Sequence, residues 1–152
     1  MPESLLKRLK AAENFDMGFS TVEFISSAIV DLDFHTGPAP NDLMQAQADS
    51  LKALGMPEQI TMRHASPHFA HVFSGDGYAA GYYSYMWSEV MDADAFEAFE
   101  EAGNPFDPAT AAKLAKHIYT AGGSKDPEEL YKAFRGQLPN AGALLKGRGF
   151  AS

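Results

Sequence analysis

The chain has 152 residues and a mass of 16.5 kDa, with 45% hydrophobic and 21% charged residues, a balance that fits one ordinary globular domain and argues against disorder. It contains no cysteine, which excludes disulfide scaffolds, thiolate metal sites and thiol nucleophiles. Twenty Asp and Glu against twelve Lys and Arg leave a net charge of −8, a field that opposes a phosphate backbone, so nucleic acid is not expected as a partner. No apolar run approaches the roughly 18 residues that cross a bilayer, and the charged start has no secretory core, so no membrane partner is expected and the cytoplasm is the expected compartment.

Leu5, Leu6, Leu9 and Ala12 predict a short amphipathic helix through about Phe15. Phe15, Phe19, Val22, Ile25, Ile29 and Leu32 then recur at spacings of three and four, one face of a second helix. Ser20, three residues before Glu23, reads as a capping box with Phe19 and Phe24 as its staple. Thr36-Gly37-Pro38-Ala39-Pro40 breaks the chain, and Asn41 is placed to cap a third helix through Leu54, stopped by Gly55. From Pro57 to Gly77 no period is sustained and Pro67 argues against a continuous helix, so a loop with one short extended piece is expected. Ser74-Gly75-Asp76-Gly77 closes it as a tight hinge.

Tyr78 to Ala102 read as one long helix ended by Gly103. Asp107-Pro108 opens the next, closed by Gly122-Gly123, and Asp126-Pro127-Glu128-Glu129 repeats the device with an acidic first turn that suits the helix dipole. Leu130, Ala133 and Phe134 supply the buried face of that helix, and a last short one covers Ala141 to Lys146. The expected fold is mostly α: a single helical domain over residues 1–152, of about six or seven helices.

Tyr78, Tyr82 and Tyr85 fall at i, i+4 and i+7, within an arc of about 60° on the predicted helix, where three phenols could offer hydroxyl donors to a substrate carbonyl. The bland alternative is that aromatics at this spacing are core, although a buried tyrosine needs a partner for its hydroxyl. His64, His68 and His71 are close in sequence, but Pro67 interrupts any helix that would align the first two, so loop histidines are expected rather than metal ligands. His35 and His117 are isolated and read as structural. The glycines between Gly75 and Gly81 lack both the spacing and the preceding strand of a nucleotide-binding turn. Glu97, Glu100 and Glu101 read as a solvated helix face.

The run from His71 to Trp87, with Tyr78-Ala79-Ala80-Gly81-Tyr82-Tyr83-Ser84-Tyr85 at its centre, resembles the C-terminal segment of M3-family zinc metallopeptidases, the group of peptidyl-dipeptidases, oligopeptidase A and thimet oligopeptidase. Further matches follow in order: Phe15 to His35 upstream, then Gly122-Gly123-Ser124, Phe134-Arg135-Gly136 with Pro139, and Ala143-Leu144-Leu145 with Gly149. The resemblance implies that Tyr85 donates a hydrogen bond to the tetrahedral oxyanion. It implies that Tyr78 contacts substrate from a flexible loop carrying Gly75 and Gly77, that His71 lies near the scissile carbonyl, and that Tyr82 lines the cleft. In the family, His-Glu-x-x-His and a later Glu hold zinc and activate water; no such motif occurs here, so no zinc is expected on this chain.

Two functions follow. The chain is expected to be the C-terminal part of an M3 catalytic domain, acting on short peptides in the longer enzyme, inactive alone, and able to pair with an N-terminal peptidase portion or with itself. The alternative is a non-catalytic helical module that binds peptides or a partner protein through its tyrosine face.

Overall fold

The computed structural model describes residues 1–151. Among them the helices are α1 Glu3–Ala12, α2 Met17–Thr36, α3 Leu43–Ala53, α4 Ala70–Phe73, α5 Ser84–Glu101, α6 Pro108–Leu114, α7 Pro127–Arg135 and α8 Gly142–Gly147. A 3-10 turn at Ser66–His68 precedes α4, a π turn at Ala115–Tyr119 continues α6, and no strand is present among the described residues. The mostly α expectation is met. Backbone packing divides the chain into two compact units, Met1–Tyr85 and the residues from Met86 onward.

Several helix starts follow directly from their capping residues. Asp107 Oδ2 accepts the Thr110 N–H at 2.7 Å and Asp126 Oδ1 accepts the Glu128 N–H at 2.8 Å, each with proline in the first turn. For α3 the cap is Asp42 rather than Asn41; its Oδ1 accepts the N–H groups of Met44 and Gln45, both at 3.0 Å. The capping box at Ser20 does not form. α2 starts four residues earlier, after Asp16 turns the chain at φ 65°, a conformation aspartate tolerates. Ser20 Oγ therefore lies inside the helix, 3.3 Å from the carbonyls of both Asp16 and Met17.

The first unit is built around Val30, Met62, Phe69 and Val72, with Phe34, Leu51 and Tyr82 packed against them. The buried strip of α2 is mainly polar: Ser26, Ser27 and Asp31 beside Ala28 and Val30. Phe15, Phe19 and Val22 of the expected apolar stripe are exposed. The segment after Pro57 contains no strand among the described residues. Buried Gln47 accepts both the N–H and the hydroxyl of Ser66, at 2.8 and 2.9 Å, and with Pro67 next the chain enters the 3-10 turn that leads into α4.

In the second unit Leu130 and Phe134 are buried as expected, but Tyr131 takes the place assigned to Ala133, which is exposed. The Tyr131 hydroxyl donates to Asp94 Oδ2 at 2.7 Å, so its burial on α7 is compensated. Glu101, expected to be merely solvated, accepts both Nη groups of Arg135 at 2.7 and 2.8 Å. Among the described residues no helix is long and apolar enough to cross a membrane.

Candidate functional site

The helix expected from Tyr78 begins only at Ser84, so Tyr78 and Tyr82 are not helical and the face drawn through them does not exist. The backbone from Asp76 to Ser84 instead runs through tight turns, in which the N–H groups of Ala79, Gly81 and Ser84 donate to the carbonyls of Asp76, Tyr78 and Gly81. Two of the intervening donors leave the local chain. Ala80 N–H goes to Asp31 Oδ1 at 3.0 Å and Tyr82 N–H to Asp31 Oδ2 at 2.9 Å. Asp31 is fully buried on α2. A carboxylate with two acceptor oxygens thus satisfies the groups that a helical segment would have paired with carbonyls four residues back. Ala80 accordingly takes φ 56°, a left-handed conformation that costs a non-glycine residue roughly 1–2 kcal/mol.

Without the helix, the tyrosines still converge. His71, on α4, stacks on Tyr78 with ring centroids 4.8 Å apart, and its Nε2 lies 3.1 Å from the Tyr85 hydroxyl. Tyr82 packs edge-on to Tyr85 at 5.6 Å, stacks on Phe24 at 4.8 Å and meets Phe69 edge-on at 4.9 Å. Tyr82 is therefore the inner ring that ties the group to the core, and burial pushes its phenol upward from the usual range near 10, with Arg63 opposing. Tyr78 and Tyr85 are more than half and half exposed, at 62% and 50%. Gly75 and Gly77 stand in open space, where a side-chain carbon would meet nothing within 4 Å, whereas one at Gly81 would lie 3.2 Å from the Tyr78 carbonyl oxygen.

The other histidines divide. His64 joins the margin of the cluster, stacked on Phe69 at 4.5 Å and edge-on to Tyr82 at 6.2 Å. Burial, followed by the nearby Arg63, holds its imidazole below the ordinary value of 6.5. His35 Nδ1 lies 2.8 Å from Asp31 Oδ1 and its ring stacks on Phe73, while His68 ends the 3-10 turn. Among the described residues no three of His, Cys, Asp and Glu are grouped so as to hold a metal ion. These residues therefore do not fit a zinc site, and zinc enters no step derived from them.

Asp31 is the site residue that sequence reasoning did not single out. The available signal was an acid inside the apolar run Ile29-Val30-Asp31-Leu32, four residues before His35.

The first unit thus brings three phenols together beside a histidine and next to a glycine-bearing loop. A profile of peptidase family M3 matches residues 1–150. The chain is 36% identical to oligopeptidase A of Haemophilus influenzae over 98% of its own length, 34% identical to dipeptidyl carboxypeptidase of Escherichia coli over 98%, and 38% identical to the probable cytosolic oligopeptidase A of Arabidopsis thaliana over 98%. The chain belongs to peptidase family M3. It spans 22% of the length of each of these three relatives.

Proposed function

We propose that Tyr78, Tyr82, Tyr85 and His71 form the substrate-binding and transition-state-stabilising part of a peptide-hydrolysing site, in an enzyme of the oligopeptidase or dipeptidyl carboxypeptidase kind. The observation that carries this reading is the 3.1 Å approach of His71 Nε2 to the Tyr85 hydroxyl, beside the exposed phenol of Tyr78. When a peptide carbonyl is attacked by water, negative charge gathers on its oxygen, and a donor already aimed at that oxygen lowers the barrier. With its proton on Nε2, His71 donates to the Tyr85 oxygen and leaves the phenolic hydrogen free for the substrate. With its proton on Nδ1 instead, the phenol donates to His71 and the catalytic donor is withdrawn. His71 is thus proposed to select the direction of the Tyr85 hydrogen bond, while Tyr78 and the loop of Gly75 and Gly77 contact the bound peptide.

The His-Glu-x-x-His set that would hold zinc and activate water is absent from these 152 residues, so the chain alone is expected to cleave no peptide. Leu5, Leu6, Leu9, Phe15, Phe19 and Val22, all exposed on or beside α1 and α2, are proposed as a seat for the portion of the peptidase that carries that set. The cytoplasm is the compartment proposed for the assembled enzyme.

The test is reconstitution. Purified chain, assayed on short peptides with zinc, is expected to be inactive, and adding the His-Glu-x-x-His portion of an M3 enzyme, fused or separate, is expected to give zinc-dependent cleavage. Cleavage by the chain alone would overturn the division of labour. Self-association in place of pairing would overturn the proposed seat.

A further inference from the structure

We infer that Asp31 is a positioning residue of the site: its carboxylate holds the turns of residues 78–83, just ahead of α5, in the conformation that brings Tyr85 to His71. The inference rests on the proposed role of Tyr85, and goes beyond it by placing the control of that tyrosine on a separate helix.

Three features of the contact carry it. The bonds are long-range in sequence, joining α2 to backbone groups 49 and 51 residues later, so no local turn preference produces them. Both carboxylate oxygens are used, each on a different N–H, and Asp31 is 0% exposed, so water does not compete for either. The two donors bracket Gly81 and include Ala80, whose left-handed φ of 56° is intrinsically unfavourable and must be held by other contacts. His35 Nδ1, one turn further along the same helix, is hydrogen-bonded to the Asp31 main-chain carbonyl at 2.8 Å and lies 2.8 Å from Oδ1. An acid serving only the packing of α2 would have its charge met by side chains of a neighbouring helix. Here it meets the main chain of the segment that carries Tyr78, Tyr82 and Tyr85.

The consequence runs through geometry. Fixing the Tyr82 N–H fixes the main chain from which its ring enters between Phe24 and Phe69. Three residues on, the same main chain delivers the Tyr85 hydroxyl to His71 Nε2. Asp31 acts on the main chain, and its effect on chemistry passes through the tyrosines.

Asp31→Asn is the informative substitution, because it is nearly isosteric and replaces one acceptor by an NH2 group facing an N–H donor. In the peptidase carrying this segment it is expected to lower kcat by about ten- to a hundredfold, the scale of a displaced catalytic group. In a Tyr85→Phe background it is expected to change kcat by less than about twofold, since the group it positions is already gone. An equal loss in both backgrounds, or no loss in either, would overturn the inference. Amide exchange on the unsubstituted 152-residue chain supplies a readout independent of activity and of how Asp31→Asn folds. The Ala80 and Tyr82 amides should exchange far more slowly than those of residues 75–78, and exchange at free-peptide rates would equally overturn the inference. If Tyr85→Phe alone leaves kcat unchanged, the proposed function fails, and the exchange result still decides whether Asp31 holds the loop.

Discussion

Asp31 and Asp94 are both sealed from solvent, one in each unit and each on a long helix, yet their carboxylates face different chemistry. Asp94 on α5 is met by side chains of α7: the Tyr131 hydroxyl at 2.7 Å and Arg135 Nε at 3.3 Å. Arg135 continues to Glu101 in a two-pronged bond, which, ahead of the charge of Asp94, holds the guanidinium still more firmly protonated. Burial and the Asp94 contact together push the Tyr131 phenol upward. Asp31 instead accepts main-chain N–H groups from an irregular loop. A buried acid facing rigid side chains locks one helix to another. A buried acid facing backbone donors holds a chain conformation that local propensity rejects, which is what a site on a loop requires.

That contrast predicts unequal losses. Asp94→Ala leaves Arg135, only 8% exposed, without its buried partner and is expected to cost about 3–5 kcal/mol, read as a lowered urea midpoint at unchanged slope. Asp31→Ala strands two N–H groups on a partly solvated loop and is expected to cost about 1–3 kcal/mol by the same measurement. If Asp31→Ala proves the more damaging of the two, the division into a packing acid and a loop-holding acid is wrong. Tyr131→Phe removes one donor from Asp94 while keeping its ring, and should cost about 1–2 kcal/mol.

The units should also differ in their response to acid. The fold holds His64 below its ordinary value, so the unfolded chain binds a proton first; the stability that His64 supports is complete above about pH 6.5 and falls as pH drops through its folded value. In the second unit Arg135 holds the Glu101 carboxyl below 4.5, so its contribution is complete above about that pH and is lost only in more acid solution. Urea midpoints between about pH 7.5 and 5 should therefore slope in the unsubstituted chain and flatten in His64→Gln. A slope unchanged in His64→Gln would assign it to another group. The smallest effect is expected for Lys132→Met, which breaks a half-exposed pair with Glu128 and should cost about 0.3–0.5 kcal/mol.

The same contrast explains what the sequence made legible. Asp107-Pro108 and Asp126-Pro127 announce their helices because a cap is a local event, decided within three residues. The convergence of the aromatic residues was legible as well, since three tyrosines and a histidine in one short stretch are visible in any conformation. Their geometry was not: the period of Tyr78, Tyr82 and Tyr85 suggested a helix that the Asp31 carboxylate, 49 residues away from Ala80, prevents. The exposed stripe of α1 and α2 misled in the other direction, because periodicity marks an apolar face without saying what covers it.

The central claim, that Tyr85 supplies a transition-state hydrogen bond, is tested most directly by kcat of Tyr85→Phe in the peptidase carrying this segment, with exposed Tyr119→Phe in the second unit as the control. Loss of a single oxyanion donor predicts a fall in kcat of about 10²–10³ with KM little changed and Tyr119→Phe indistinguishable from the unsubstituted enzyme. An unchanged kcat in Tyr85→Phe would contradict it.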